Sequence, residues 1–194
     1  MSEVSFGNDG DFSDRAMIYK VNAHLANELG NLCQRTLSMV FKNCDKSIPT
    51  PGDWTEDDKE LLASAAVLYE TAASHVAQQS LQSYVETLIG IVVQANKYID
   101  TQEPWVLRKT DPARMATVLY VILEVLRTAA ILYQPVIPTA AGRILDQLGV
   151  APEERTFAQL ASFEENRLDS GTAIQKPTGV FPRIEIPEGM LVEQ

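Results

Sequence analysis

The amino-acid sequence predicts an all-α protein, a bundle of four to five helices followed by an irregular C-terminal tail. Apolar residues recur three and four positions apart through most of the first 150 residues, which is the spacing of one helix face. The same stretch shows no sustained alternation of apolar and polar residues, the pattern of a half-buried strand. We therefore divide the chain into a lead-in at residues 1–13, a helical domain at 14–150 and a tail at 151–194.

The first predicted helix is long and amphipathic. Ser13 suits its N-cap, and Phe12 can pack on Met17 as a hydrophobic staple. Its apolar positions are Met17, Ile18, Val21, Leu25, Leu29, Leu32, Cys33, Thr36, Leu37, Val40 and Phe41. The prolines and the glycine within residues 43–52 then predict a loop.

Two further helices are expected before residue 104. Thr55 followed by Asp58 is a variant of the capping box and predicts the start of the second helix. We expect this helix to break near Ser74. The third helix carries its apolar face from Leu81 onward and must end before Pro104, because proline and the residue before it disfavour a helix interior.

The clearest start signal in the chain is Asp111 followed by Pro112, an N-cap acid before a proline at the first helical position. The fourth helix begins there and continues until Pro135 stops it. Residues 139–148 predict a fifth helix, which Gly149 closes in the C′ position.

The tail and the lead-in carry much of the acidic charge. Residues 1–14 and 151–194 each contribute −4 to the formal net charge of −10. Without the acidic loop at 53–60, the remaining body is slightly basic, so it permits a local basic face but not a strongly basic groove. In the tail only residues 179–186 can lie extended against an apolar surface, which predicts either a docking segment or disorder.

We expect neither a membrane span nor a targeting leader. The apolar run at residues 88–93 is interrupted by Gly90 and falls far short of the about 20 residues that a membrane helix needs. The lead-in is acidic, unlike a secretory leader. Cys33 and Cys44 would lie about 16 Å apart along one helix, too far for a disulfide, so a reducing compartment is expected.

The residue pattern favours a binding or structural module over an enzyme. His24 lies nine positions before Cys33 on one helix, too far for a nucleophile and its base, and His75 has no obvious partner. Neither the glycine-rich dinucleotide fingerprint nor a phosphate-binding loop is present. We predict no metal site, because no cysteine or histidine has a second ligand at a suitable spacing.

A polar stripe lies opposite the apolar face of the first helix. Its members are His24, Glu28, Asn31, Arg35, Ser38 and Lys42. Asn31 and Arg35 are one turn apart, so an amide and a guanidinium stand side by side and can hydrogen-bond one base edge. The alternative is that the stripe is simply the solvated face of an amphipathic helix.

Trp105 is the second candidate binding residue. It follows Pro104 in a predicted helix connection and precedes two cations, Arg108 and Lys109. An aromatic ring beside cations suits stacking on an unpaired base while the cations contact phosphate. The alternative is that Trp105 covers the end of the core, the role that we predict for Trp54.

Together these segments resemble the anticodon-binding domain of the methionyl-tRNA synthetase family, of the bacterial and organellar type. The likeness covers roughly residues 6–185. It is carried by residues 22–35 (NAHLANELGNLCQR), 95–99 (ANKYI), 103–109 (EPWVLRK), 135–138 (PVIP) and 179–185 (GVFPRIE). Each segment is weak evidence alone, but their order and separations together are specific.

The resemblance implies that the helical domain reads the CAU anticodon of methionine tRNA. An asparagine and an arginine one turn apart and a tryptophan after proline are the family's principal readers, and they match Asn31, Arg35 and Trp105. Pro104 would orient the ring. The possible phosphate contacts are Arg108, Lys109 and Lys42. No DNA partner is expected.

The family's ATP-binding signatures, His-Ile-Gly-His and Lys-Met-Ser-Lys-Ser, do not occur in this sequence. The resemblance places them in a catalytic domain upstream, which would bind ATP and methionine, so we expect no cofactor here and no aminoacylation by this chain alone. The chain is then a piece of a synthetase or a free-standing relative. Its tail resembles the family's returning C-terminal segment, which would pack on the catalytic domain.

Two other functions remain open. The bundle could be a helical protein-interaction scaffold, which predicts no RNA affinity and indifference to Trp105→Ala beyond a stability change. It could also serve another class I synthetase that reads a different anticodon. The sequence suits the bacterial cytoplasm, the mitochondrion and the plastid equally, and it leaves the oligomeric state open.

Overall fold

The computed structural model describes residues 14–185, and within this range the chain is helical, with one isolated β-bridge between Ser47 and Ala173. The predicted all-α class is confirmed. The helical segments are α1 (Asp14–Lys20), a π-helical segment (Val21–Gly30), α2 (Asn31–Asn43), α3 (Glu56–Ala66), α4 (Leu68–Ala77), α5 (Leu81–Gln102), α6 (Pro104–Thr110), α7 (Pro112–Tyr133), α8 (Pro138–Leu148) and α9 (Phe157–Ala161). The predicted cap at Ser13 and staple at Phe12 lie outside the described residues.

The first predicted helix is continuous but not uniform. Its backbone stays helical through Lys20 and Gly30, where α1, the π-helical segment and α2 join. Because π-helical hydrogen bonds skip one more residue than α-helical bonds, the segment rotates the faces on either side of it. Val21 and Leu25, predicted as core, are therefore only half-buried, whereas the polar Asn22 is buried.

The second predicted helix is divided at a different point. Thr55 and Asp58 form the predicted capping box, which starts α3. An unpredicted break lies at Val67, between α3 and α4. The predicted break before the third helix lies at residues 78–80, because Ser74 falls within α4. The chain reverses after Ala77, where Gln79 adopts a left-handed φ of 57° before α5 begins.

The segment between α5 and α7 is a short helix, although the sequence analysis treats it as an irregular connection. Glu103 ends α5 in a left-handed conformation with φ 45°, and Pro104 begins α6 directly afterwards. Proline ends a preceding helix, and it also suits the first turn of a following helix. The prediction that α5 ends before Pro104 used the first of these properties, and α6 reflects the second. Trp105 is therefore fixed on a helix rather than on a flexible loop.

Helix α7 is the centre of the bundle. The side chain of Asp111 caps it by accepting a hydrogen bond from the Arg114 amide at 3.0 Å, and Pro112 occupies the first position, as predicted. With 22 residues and a mean hydropathy of 1.9, α7 is long and apolar enough to cross a membrane. However, 94% of its apolar window is buried by the surrounding helices, which makes it the core helix of the bundle. Uninterrupted apolar runs alone do not reveal α7, because Glu124 and Arg127 interrupt its sequence.

Helix α8 ends as predicted. Gly149 has φ 75°, and a Cβ at this position would lie 2.5 Å from the Ala173 carbonyl oxygen. The left-handed turn therefore requires glycine both for its backbone angle and for the close approach of the tail.

The described part of the tail docks on its own bundle. The Ile48 amide donates to the Thr172 carbonyl and the Ile174 amide donates to the Lys46 carbonyl, each at 2.9 Å. Farther along, Val180 is buried. The side chain of Asn22 donates to the Ile184 carbonyl at 2.8 Å and accepts from the Ile184 amide at 2.9 Å. Of the two predicted behaviours the tail shows docking, while its contact with a catalytic domain stays a prediction.

A buried polar group helps to hold the tail against α7. Glu124 accepts hydrogen bonds from the Leu168 amide and from the Tyr120 hydroxyl, and Arg127 donates to it at 3.0 Å. Glu124 is fully buried and Arg127 is 3% exposed. A buried carboxylate needs hydrogen bonds to offset its lost hydration, and Glu124 receives one of them from the Leu168 amide, so the carboxylate depends on the tail being in place.

Candidate nucleic-acid interface

The polar stripe predicted on the first helix is accessible to solvent on α2. Asn31 begins α2 and is exposed, and Arg35 follows one turn later with a side chain that is about one-third exposed. Before α2 the stripe is partly self-paired, because His24 Nδ1 lies 3.0 Å from the Glu28 carboxylate. The part of the stripe that faces outward with an amide and a guanidinium is therefore the first turn of α2.

The structure brings Arg35 and Trp105 together. The Arg35 guanidinium carbon lies 5.3 Å from the centroid of the Trp105 ring, within the range of a cation–π interaction. Pro104 is buried at the first position of α6 and fixes the backbone before Trp105, whose side chain is 39% exposed. Two residues that the sequence identifies separately thus form one surface, with the ring still open to solvent.

Asp100 belongs to the same cluster, and the sequence analysis missed it. Its Oδ1 accepts a hydrogen bond from Arg35 Nη2 at 2.7 Å. Asp100 lies near the end of α5, three residues before the left-handed turn at Glu103. An acid on the exposed face of a helix has no distinguishing pattern, so no local signal in the sequence pointed to Asp100.

A buried carboxylate holds the end of α5 that carries Asp100. Asp58 accepts hydrogen bonds from Tyr98 on α5 and from the Arg114 guanidinium on α7. Burial alone would raise the pKa of Asp58, but the hydrogen bonds from Arg114, Tyr98 and the Thr55 amide together hold its pKa below the ordinary value. Asp58 therefore connects three helix ends, namely the start of α3, the end of α5 and the start of α7.

A second contact sets the distance between α5 and the first helix. The side-chain amide of Asn96 donates to the Val92 carbonyl on its own helix at 3.1 Å and to the Glu28 carbonyl at 3.4 Å. This contact lies one turn before Asp100, so it fixes α5 against the π-helical segment beside the Arg35 cluster.

The predicted phosphate contacts lie at two places. Arg108 and Lys109 are exposed on α6, one turn after Trp105, whereas Lys42 is exposed at the far end of α2 from Asn31. In the described part of the chain none of the three forms an ion pair. Arg108 and Lys109 therefore border the cluster, while Lys42 lies about 10 Å from Arg35 along the helix axis.

The remaining chemistry-bearing residues are structural. Burial raises the pKa of the Cys33 thiol to about 12, which leaves it protonated and unreactive. Trp54 packs against the core with its ring 5.9 Å from Tyr120, as predicted for a residue that covers the core. Within residues 14–185 no group of three or more His, Cys, Asp or Glu side chains could hold a metal ion.

Comparisons with known proteins agree with this architecture. Residues 48–189 match the family described as the anticodon binding domain of methionyl tRNA ligase. The matched range includes Trp105 but not Asn31 and Arg35. Over 192 residues the chain is 48% identical to the methionine–tRNA ligase of Mycobacterium tuberculosis, covering 97% of this chain and 36% of that protein. The Rhizobium meliloti enzyme is 46% identical over 188 residues, with the same two coverages.

Solved structures give the same result. The apo form of Mycobacterium tuberculosis methionyl-tRNA synthetase superimposes with a TM-score of 0.90 at 49% identity, covering 95% of this chain and 37% of that one. The complex with methionyl-adenylate gives a TM-score of 0.89 at 50% identity, covering 93% and 36%. The chain thus spans little more than one third of the length of these relatives. It belongs to the methionyl-tRNA ligase family and corresponds to the anticodon-binding domain of that family.

Proposed function

We propose that this chain recognises the CAU anticodon of methionine tRNA for a methionine–tRNA ligase. The observation that carries the proposal is the cluster of Arg35, Trp105 and Asp100. It presents an exposed ring and a guanidinium, and the exposed amide of Asn31 lies one helical turn away. Unpaired RNA bases are recognised by stacking on such rings and by hydrogen bonds to their edges.

The first anticodon base, cytosine, is the base that suits this cluster. Its Watson–Crick edge offers two acceptors and one amino donor. Arg35 has five N–H donors and uses one on Asp100, so the others can bond the acceptors. The Asn31 side-chain carbonyl can accept from the amino group. Guanine presents donors where cytosine presents acceptors and would leave Arg35 facing N–H groups.

Trp105 would supply the stacking surface and the neighbouring cations would contact the RNA backbone. The ring is exposed on α6, and Arg108 and Lys109 follow it on the same helix, where neither forms an ion pair with a residue in the range 14–185. Phosphate contacts position an RNA without reading its sequence, whereas Asn31 and Arg35 would supply the selectivity. The overall net charge of −10 is compatible with this arrangement, because the cations are local to the surface.

The chain would act beside a catalytic domain that binds ATP and methionine. The relatives are nearly three times as long as this chain, and their names describe the whole ligase. We infer that aminoacylation belongs to that domain and that this chain supplies anticodon recognition. The relatives named above are bacterial, which favours the bacterial cytoplasm as the location.

Binding of an anticodon stem-loop RNA by the Arg35→Ala variant tests the proposal. Loss of Arg35 should weaken the loop with CAU by about 1 to 3 kcal/mol and a loop with a different first anticodon base far less. Arg108→Ala is the matched control, because loss of a phosphate contact should weaken both loops equally and reduce the salt dependence. Equal, small losses for both loops with Arg35→Ala would contradict anticodon reading. No affinity for either loop would favour the scaffold.

A further inference from the structure

An open groove lies beside Asn31, and Trp105 is not among its lining residues. It is bounded by the first helix and by the docked tail, and its volume is about 530 Å³, within the about 300–1,000 Å³ of small-molecule sites. Asn27, Asn31 and Gln34 line it from the helix, and Phe181 lines it from the tail. Because Asn31 borders both this groove and the Arg35 cluster, the two form one continuous surface.

Phe181 is held firmly at the groove. Its ring packs so closely on Gly30 that a Cβ at Gly30 would lie 3.3 Å from the ring Cδ2 and 3.0 Å from the Leu25 carbonyl oxygen. The neighbouring Val180 is buried, and Ile184 is hydrogen-bonded through both backbone groups to Asn22. The ring is therefore fixed before any ligand arrives, which lowers the entropic cost of binding to it.

The lining of the groove has the chemistry of a nucleobase site. It contains an aromatic ring and three side-chain amides, and its lining residues within the range 14–185 are uncharged. Each amide offers both donors and an acceptor, which match the edge of a base. Gln34 already orients its amide by donating to Ser38 Oγ at 3.2 Å, which leaves its carbonyl oxygen available. An aromatic ring can stack on any base.

We propose that this groove binds a second unpaired base of the RNA whose first base lies at Trp105. Phe181 is its stacking surface, and Gln34 and Asn31 bond its edge. The inference rests on the proposed anticodon recognition and extends it, because it makes the returning tail part of the RNA-binding surface. Asn31 then lies between the two bases, and Arg35 and Phe181 mark the two ends of the surface.

The test uses the full chain and a synthetic CAU stem-loop RNA in which one loop base at a time is replaced by an abasic nucleotide. Phe181→Leu keeps an apolar side chain against Gly30 but removes the aromatic ring. It should weaken the intact loop on the order of 5- to 150-fold. The effect should vanish for the loop that lacks one particular base, and Trp105→Ala should lose its effect at a different base.

Two further variants separate binding from folding. Gln34 is exposed on α2, so Gln34→Ala should leave stability unchanged and show its effect at the same base as Phe181→Leu. Gln175 is exposed in the tail outside the groove, and its hydrogen bond to the described part of the chain is made by its backbone amide, so Gln175→Ala should bind like the unaltered chain.

Three results would overturn the second-base site. Phe181→Leu could change binding less than twofold while Trp105→Ala weakens it, and the proposed function would then survive without the groove. Phe181→Leu could weaken every abasic loop alike, which would show that the ring acts only by packing the tail. Both variants could lose their effect at the same base, which would leave one site. If Trp105→Ala itself has no effect on an RNA that binds, the proposed function fails first.

Discussion

The guanidinium of Arg35 lies over the ring of Trp105, 5.3 Å from its centroid, although the two residues are separated by three intervening helices in the sequence. The contact exists because α6 begins at Pro104 directly after the turn at Glu103, which directs Trp105 back toward α2. Asp100 completes the arrangement by accepting from Arg35 at 2.7 Å. The proposed base site is thus assembled before RNA binds.

Replacing Trp105 should weaken RNA binding while the chain still folds. The residue is 39% exposed, so Trp105→Ala loses the packing of the covered part of the ring and should lower the free energy of unfolding by about 1 to 3 kcal/mol. Affinity for a CAU stem-loop should fall by about 1 to 3 kcal/mol, and Trp105→Phe should restore part of the loss because it keeps a smaller ring. Fluorescence anisotropy and urea unfolding measure the two effects. A large loss of stability with unchanged RNA affinity would make Trp105 a lid on the core instead.

Replacing Asp100 should reduce selectivity rather than stability. Its side chain is 62% exposed, and exposed ion pairs contribute little, so Asp100→Asn should change unfolding by less than about 1 kcal/mol. The variant replaces the ion pair between Arg35 and Asp100 by a weaker neutral hydrogen bond, and it removes a negative charge near the RNA backbone. The preference for cytosine over guanine at the first anticodon position should therefore fall several-fold. Competition binding with the two stem-loops measures it, and an undiminished preference would show that Asp100 does not orient Arg35.

Replacing Asn22 should weaken the attachment of the tail to the bundle. Asn22→Ala removes both hydrogen bonds to Ile184, and we expect unfolding to become easier by about 1 to 2 kcal/mol because one polar backbone segment loses its partner. Asn27→Ala, at an exposed position on the same π-helical segment, is the control and should cost less than about 0.5 kcal/mol. Equal unfolding midpoints in urea for the two variants would show that the tail is held elsewhere.

The stability of the bundle should depend on the ionisation of Asp58. The folded state holds the pKa of Asp58 below its ordinary value of about 3.9, so its contribution is complete above about pH 4 and is lost as the pH falls through the folded pKa. Asp58→Asn should cost about 3 kcal/mol at pH 7, because Arg114 loses its charged partner while keeping some access to water.

Urea unfolding at pH 7 and pH 3 measures this dependence. The difference between the unaltered chain and Asp58→Asn should shrink at the lower pH. Asp53→Asn, at an exposed position just before α3, is the control and should show a small difference at both pH values. A difference that stays the same at pH 3 would contradict the assigned ionisation of Asp58.

Much of the fold follows from local sequence signals. The cap at Asp111, the capping box at Thr55 and Asp58, and the closing glycine at position 149 all form as predicted, because each depends on residues only a few positions apart. The π-helical segment was not predictable, because an apolar periodicity near 3.6 does not reveal a local change in hydrogen bonding. Its consequence, the burial of Asn22, depends on the distant Ile184.

The candidate site also has a part that local sequence signals predict and a part that they do not. Asn31 and Arg35 could be recognised from their spacing on one helix, and Trp105 from the proline and cations around it. The proximity of Arg35 and Trp105 could not be derived from periodicity, since it depends on α6 and on the hydrogen bonds that Asp58 makes between helices. Asp100 and Phe181 acquire their roles only through contacts with residues far away in the sequence, which no local pattern encodes.

The most direct test of anticodon recognition is the equilibrium binding of the purified chain to a methionine tRNA and to the same tRNA with its first anticodon base changed from C to G. Both are measured at low and at physiological salt, because phosphate contacts alone bind every RNA alike and weaken steeply with salt. We predict a clear preference for C that persists at physiological salt, even at micromolar affinity. Equal affinity for the two tRNAs at both salt concentrations would contradict the account.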